Sequence, residues 1–206
     1  MNAIWWGLLL GSLIWSGINP HDYPTWLLEI APVLLALPVM VATRRRFPLT
    51  HLAYWLLLWE FVLLMIGGHY TYAEVPAFDW LRDQLHHTRN NYDKLAHFFQ
   101  GFVPAIVARE ILIRLQVING RRWLGFLVVC LCLALSAAYE LIEWLVAEIS
   151  ATAAESFLGT QGYVWDTQSD MALALIGSVV AQALLAGVHD RQLAGLASQS
   201  NGKSVR

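Results

Sequence analysis

Three pairs of ionisable side chains stand at helical spacing inside segments that are otherwise apolar. Asp93 and His97 are four residues apart, Glu140 and Glu143 three, and Asp166 and Asp170 four, so on an α-helix each pair shares one face. Lys94 stands beside the first pair. Carboxylates and an imidazole projected from facing helices are donors suited to a divalent ion such as Mg, Mn, Fe or Zn. An imidazole among carboxylates can also exchange a proton. The five acids cannot all be ionised side by side without counter-charge, so the pattern demands shared protons or a bound cation. Asp93 and Asp166 also suit helix N-caps. Glu140 and Glu143 have no such role, and two acids inside one span are expensive.

The surrounding composition says where this chemistry must sit. Of 206 residues, 57% are hydrophobic and 14% charged, and the mean hydropathy is +0.50, which excludes an ordinary water-soluble domain. Ten Trp and seven Tyr suit a chain with two membrane-water interfaces to anchor. A net charge of -2 gives no reason to expect a nucleic-acid partner. Cys130 and Cys132, two apart on a helix, point away from each other and cannot pair together.

An all-α bundle of about six transmembrane spans in a single domain over 1–206 accommodates these features. The spans are expected at 2–18, 25–43, 51–68, 93–115, 123–147 and 167–188, with 2–18 retained as the first span rather than removed as a leader. Polar or turn-rich stretches separate them, including a long loop from Tyr70 to Tyr92 and a small-residue loop from Ser150 to Asp166. Basic residues collect in the loops after spans two and four and in the tail, as Arg44 to Arg46, Arg121 with Arg122, and Arg191 with Lys203 and Arg206. Those places lie on one side of a six-span bundle, so both termini are expected in the cytoplasm.

On that topology the three pairs fall at comparable depth on the outer side. Glu140, Glu143, Asp166 and Asp170 are the expected metal ligands. His97 and Asp93 would handle a proton, and Lys94 would hold an anionic headgroup. Glu60 in span three and His69 at its end would stand behind the ligands or at the entrance, as could Glu29, His86 and His87. His51 and His189 sit at the cytoplasmic ends and take no part, and Arg109, Glu110 and Arg114 read as interface anchors with a local ion pair.

The stretches "YDKLAHFFQGFVPA", "AAYELIEW" and "FLGTQGYVWDTQSDMALALIG" resemble the YjdF-like family of bacterial inner-membrane proteins. The resemblance runs through most of spans three to six and implies a multi-pass inner-membrane protein without implying an activity. A more distant likeness is to VanZ-like membrane proteins, whose Asp-Lys-x-x-His-Phe start is matched by Asp93, Lys94, His97 and Phe98, and whose helix acid compares with Glu140. Their closing Asp-x-x-x-Asn-x-x-Gly falls on Asp170 and Gly177 with Ala174 at the Asn position, and the Arg that precedes the acidic pair is missing.

The expected function is metal-dependent hydrolysis or group transfer on an envelope lipid or lipid-linked headgroup, at a site facing the periplasm. A proton- or cation-coupled transporter is the second reading, since buried acids and a His also serve as ion sites. A non-catalytic assembly partner in the envelope is the third.

Overall fold

The computed structural model describes residues 1–118, 120–149 and 163–203. Those residues form eight helices and no strand: α1 (Ala3–Ser16), α2 (Tyr23–Glu29), α3 (Ala31–Thr43), α4 (His51–His69), α5 (Pro76–Leu85), α6 (Tyr92–Arg114), α7 (Arg121–Ile149) and α8 (Asp166–Lys203). With no water in a bilayer core to satisfy the backbone, helices that bond internally are the available way across for such a chain. The starts are capped where short polar side chains precede apolar runs. Asn2 accepts from the amide of Trp5 at 2.9 Å, Asp22 from that of Thr25 at 2.8 Å, and Thr50 from that of Ala53 at 3.3 Å. The side chain and amide of Thr25 hold the Asp22 carboxyl below its usual range.

Helices α4, α6, α7 and α8 are long and apolar enough to cross a membrane. A fifth crossing arises if α2 and α3, bent by 44°, count as one broken span. The break at Ile30 has a covalent reason: Pro32 brings no amide hydrogen to the first turn of α3, so the ladder is interrupted where the sequence pattern suggests one helix over 25–43. Helix α1 has 14 residues, about 21 Å of rise. The expected count of six would need α1 as well, held against α4 by the Trp5 indole donating to the Tyr54 carbonyl at 2.9 Å.

Two other departures have local causes. The stretch from Tyr70 to Tyr92, expected as a polar loop, contains α5. Pro76 opens it, Arg82 pairs with Asp79 at 2.8 Å and Asp83 at 2.9 Å, and Phe78 packs on Tyr92 with ring centroids 5.1 Å apart. At the other end α8 runs to Lys203, about 57 Å for 38 residues, past the apolar segment that the sequence marks as the span. Most of the loop from Ser150 to Asp166 lies outside the described residues. Cys130 is exposed and Cys132 buried, both free, as their spacing requires.

Helices α6 and α8 meet backbone to backbone. A methyl group at Gly101 would overlap the Ala174 carbonyl, and one at Gly177 would overlap the Phe98 carbonyl. Small residues at a membrane helix crossing permit this approach, and the approach sets the distance between every side chain the two helices share.

The far end of the same helices holds a second polar network. Glu110, fully buried, accepts from the Thr50 amide and hydroxyl, from Arg114 at 2.8 Å and from His189 Nε2 at 3.1 Å. His189 Nδ1 faces Arg109 at 2.9 Å, and Arg109 donates to Asp190 at 2.6 Å. Arg109 and Glu110 are thus interior groups rather than interface anchors, and His189 has a defined part, bridging them. A buried charge is tolerated when all its bonds are supplied, and here α4, α6 and α8 supply them.

The crossing makes a clear expectation. Gly101→Ala and Gly177→Ala should each lower the melting temperature in detergent by several degrees, overpacking typically costing about 1–3 kcal/mol. Gly11→Ala and Gly187→Ala, where nothing stands within 4 Å of the added methyl, should be neutral or slightly stabilising. Equal effects at all four would remove the crossing as the constraint.

Candidate functional site

The close approach of α6 and α8 brings their leading turns together. Asp93, Lys94 and His97 come from α6, and Asp166 and Asp170 from α8. Asp93 and Asp170 each divide their two oxygens between partners. Asp93 Oδ2 lies 3.4 Å from Arg89 while its Oδ1 lies 3.1 Å from His97 Nε2. Asp170 Oδ1 accepts from Lys94 at 3.0 Å while its Oδ2 stands 3.9 Å from the same Nε2. Asp166 Oδ1 joins the two cations, 3.1 Å from Arg89 and 2.9 Å from Lys94. The Tyr163 ring lies against both, with 5.3 Å from its centroid to the guanidinium carbon and 4.9 Å to the ammonium.

The other side of the His97 ring is held differently. Its Nδ1 is 2.9 Å from Gln100 Oε1, an acceptor that calls for a proton on Nδ1. That leaves Nε2 between two carboxylate oxygens, a position that needs a positive centre: a second ring proton or a metal ion. Atoms of Asp93, His97 and Asp170 all lie within 4.8 Å of one another, close enough to share one ion. His97 is buried, and so is Asp170, so bulk water screens them weakly.

Helix α7 closes the site with its own acids. Glu140 Oε1, buried and without a hydrogen-bond partner among the described residues, is 3.8 Å from His97 Nδ1. Glu143 has Glu140, Glu29 and His97 as electrostatic neighbours. The Tyr139 hydroxyl donates to Glu29 at 3.1 Å, which ties α7 to the α2 end of the broken helix. Glu60, buried on α4, has His97 as an electrostatic neighbour and one oxygen without a partner among the described residues.

The expected residues therefore converge, but in a different arrangement. The three residues close enough to share one ion are Asp93, His97 and Asp170, of which only Asp170 is among the metal ligands expected from sequence. Glu140 and Glu143 stand beside it, and Asp166 is taken up by Arg89 and Lys94. His69 belongs elsewhere: its Nδ1 meets the Ser16 carbonyl at 3.0 Å and its ring packs on Trp15 at 4.6 Å, which fastens α1 to α4. His86 and His87 are exposed at the end of α5, where His87 meets Asn91 at 3.1 Å. Arg89, Gln100 and Tyr139 were not singled out by the sequence reading. Gln100 carried a signal, three residues after His97 and so on its face of the helix. Arg89, in a loop, carried none.

The shared ion pairs can be tested by coupling. Lys94→Met and Asp170→Asn should each lower the melting temperature, and the double variant should lose less than the sum, with a coupling of about 0.5–3 kcal/mol. Strict additivity would mean that the 3.0 Å contact carries no energy.

The comparisons with known proteins agree with the membrane reading. The family model described as "Predicted membrane protein (DUF2238)" matches residues 1–191. The chain is 52% identical over 181 residues to "Inner membrane protein YjdF" of Escherichia coli (strain K12), covering 88% of this chain and 87% of that protein. No solved structure matches. A membrane protein of apolar helices, matched over nearly its whole length, the chain belongs to the DUF2238 family of predicted membrane proteins.

Proposed function

We propose that Asp93, His97 and Asp170 form a divalent-cation site at the periplasmic side of the inner membrane, and that it serves hydrolysis or group transfer on an envelope lipid or lipid-linked headgroup. One observation carries the reading: two carboxylates, each with one oxygen held by Lys94 or Arg89, direct the other at His97 Nε2. Ligands oriented by such outer contacts are typical of metal centres. The basic loops on the opposite side and the inner-membrane relative support the location.

A bound ion would polarise a phosphoryl or acyl oxygen or lower the pKa of a water. The chain's own groups do the rest. Arg89 and Lys94, each about one-fifth exposed, meet an anionic headgroup, and Gln100 fixes the imidazole. The second reading, a proton- or cation-coupled carrier, draws on the buried Glu110 and His189 network at the other end of α6 and α8, which gives the bundle ionisable groups near both faces.

Metal retention decides between an occupied centre and an ion-pair network. Wild-type protein in detergent should retain about one equivalent of Mg, Mn, Fe or Zn after desalting, less as pH falls because the ligands must be deprotonated. His97→Gln and Asp170→Asn should lose it, and His87→Ala should not. A wild type with no retained metal and no metal-dependent melting shift would refute the site.

A further inference from the structure

Resting on the reading above, we infer that the Nδ1 side of His97 is a headgroup subsite for a primary ammonium, so that the ligand is a zwitterionic lipid carrying a phosphate and a protonated amine. The two sides of the imidazole differ in charge. Toward the helix ends stand the cations Arg89 and Lys94. On the other side Glu29, Glu140 and Glu143 gather from α2 and α7, and among the described residues the one ion pair that reaches any of them is that of His97 with Glu140.

That acidic group calls for a donor. Glu140 is 93% buried at a relative exposure of 7%, and its Oε1 points at the imidazole edge with no hydrogen-bond partner among the described residues. Gln100 already occupies Nδ1 at 2.9 Å, so the ring hydrogen does not serve Glu140. Glu29 accepts from the Tyr139 hydroxyl at 3.1 Å and has the Tyr72 hydroxyl as a further partner, so the open acceptor of the group is Glu140 Oε1. A buried acceptor left without a donor is costly, and a ligand N–H removes that cost. A primary ammonium brings three donors and one positive charge; a quaternary ammonium brings the charge without a donor.

The surface beside this group suits a lipid rather than a free solute. Leu141, Ile142, Trp144 and Leu145 are spread around α7 on either side of Glu143 in sequence and are half or more exposed, so this stretch of helix offers apolar surface to acyl chains. In the proposed pose the ammonium lies toward Glu140 and Glu143, and the phosphate toward Lys94 and Arg89.

The test uses the full chain in nanodiscs of phosphatidylethanolamine, phosphatidylcholine or phosphatidylglycerol, with soluble phosphoethanolamine added to the phosphatidylcholine discs as a further arm. Phosphatidylethanolamine should raise the melting temperature above both other lipids by about 3 °C or more. Glu143→Gln and Glu29→Gln should each erase most of that difference while retaining wild-type metal content, since neither belongs to the Asp93, His97 and Asp170 group. Equal stabilisation by phosphatidylcholine, or a difference that survives both variants, would overturn the subsite. A full shift from soluble phosphoethanolamine would overturn the lipid source. Loss of metal binding in wild type with the lipid difference intact would defeat the cation site and leave the ammonium subsite standing.

Discussion

The contact between α6 and α8 at Gly101, Ala174 and Gly177 is the constraint on which the rest depends. Between lipid-solvated helices there is little hydrophobic gain from association, so close packing and polar contacts must hold them. The missing side chains let the backbones touch, and the touch fixes the separation of Asp93 and His97 from Asp170. Moving the helices apart by the width of a methyl group would open the 3.0 Å and 2.9 Å contacts of Lys94 with Asp170 and Asp166 that order the site. The same pair of helices carries the Glu110, His189 and Arg109 network at its far end, so the crossing is braced by polar contacts on both sides.

The two networks solve different electrostatic problems. At the far end the groups are matched: Glu110 has its donors, Arg109 its acceptors, and His189 spans them with one nitrogen to each. Around His97 the acids outnumber the cations. Asp93, Asp166 and Asp170 share Arg89 and Lys94, and Glu29, Glu60, Glu140 and Glu143 lie beyond those cations' ion pairs among the described residues. In a weakly screened interior an excess of that kind is relieved by protons or by a bound cation. A purely structural brace would have no need of it, and the matched network shows what such a brace looks like in this chain.

Much of this was legible in the sequence, because periodicity and residue cost are local signals. The four long helices follow from apolar runs, and the acids stood out because charge inside a span demands a partner. Which atoms meet was not legible. The partition of oxygens between His97 and the two cations depends on the α6 and α8 crossing, and that depends on glycines whose meaning appears only when the facing residue is known. Arg89 gave no local sign, lying outside the apolar segments; α5 did give one, Phe78, Leu81 and Leu85 recurring at helical spacing, but its ten residues are too short and polar to stand out beside the spans. The bend at Ile30 was foreshadowed by Pro32, but a proline near a helix start is as compatible with one helix as with two. His189 was set aside as an end residue because span limits drawn from hydropathy stop α8 at 188, fifteen residues short of where the helix ends.

The most direct test of a cation centred on His97 Nε2 is pulsed electron paramagnetic resonance of protein loaded with a single equivalent of Mn. The account expects modulation from one directly coordinated imidazole nitrogen, present in wild type and absent in His97→Gln. A spectrum showing only water and carboxylate oxygens around the ion, unchanged by that substitution, would contradict it.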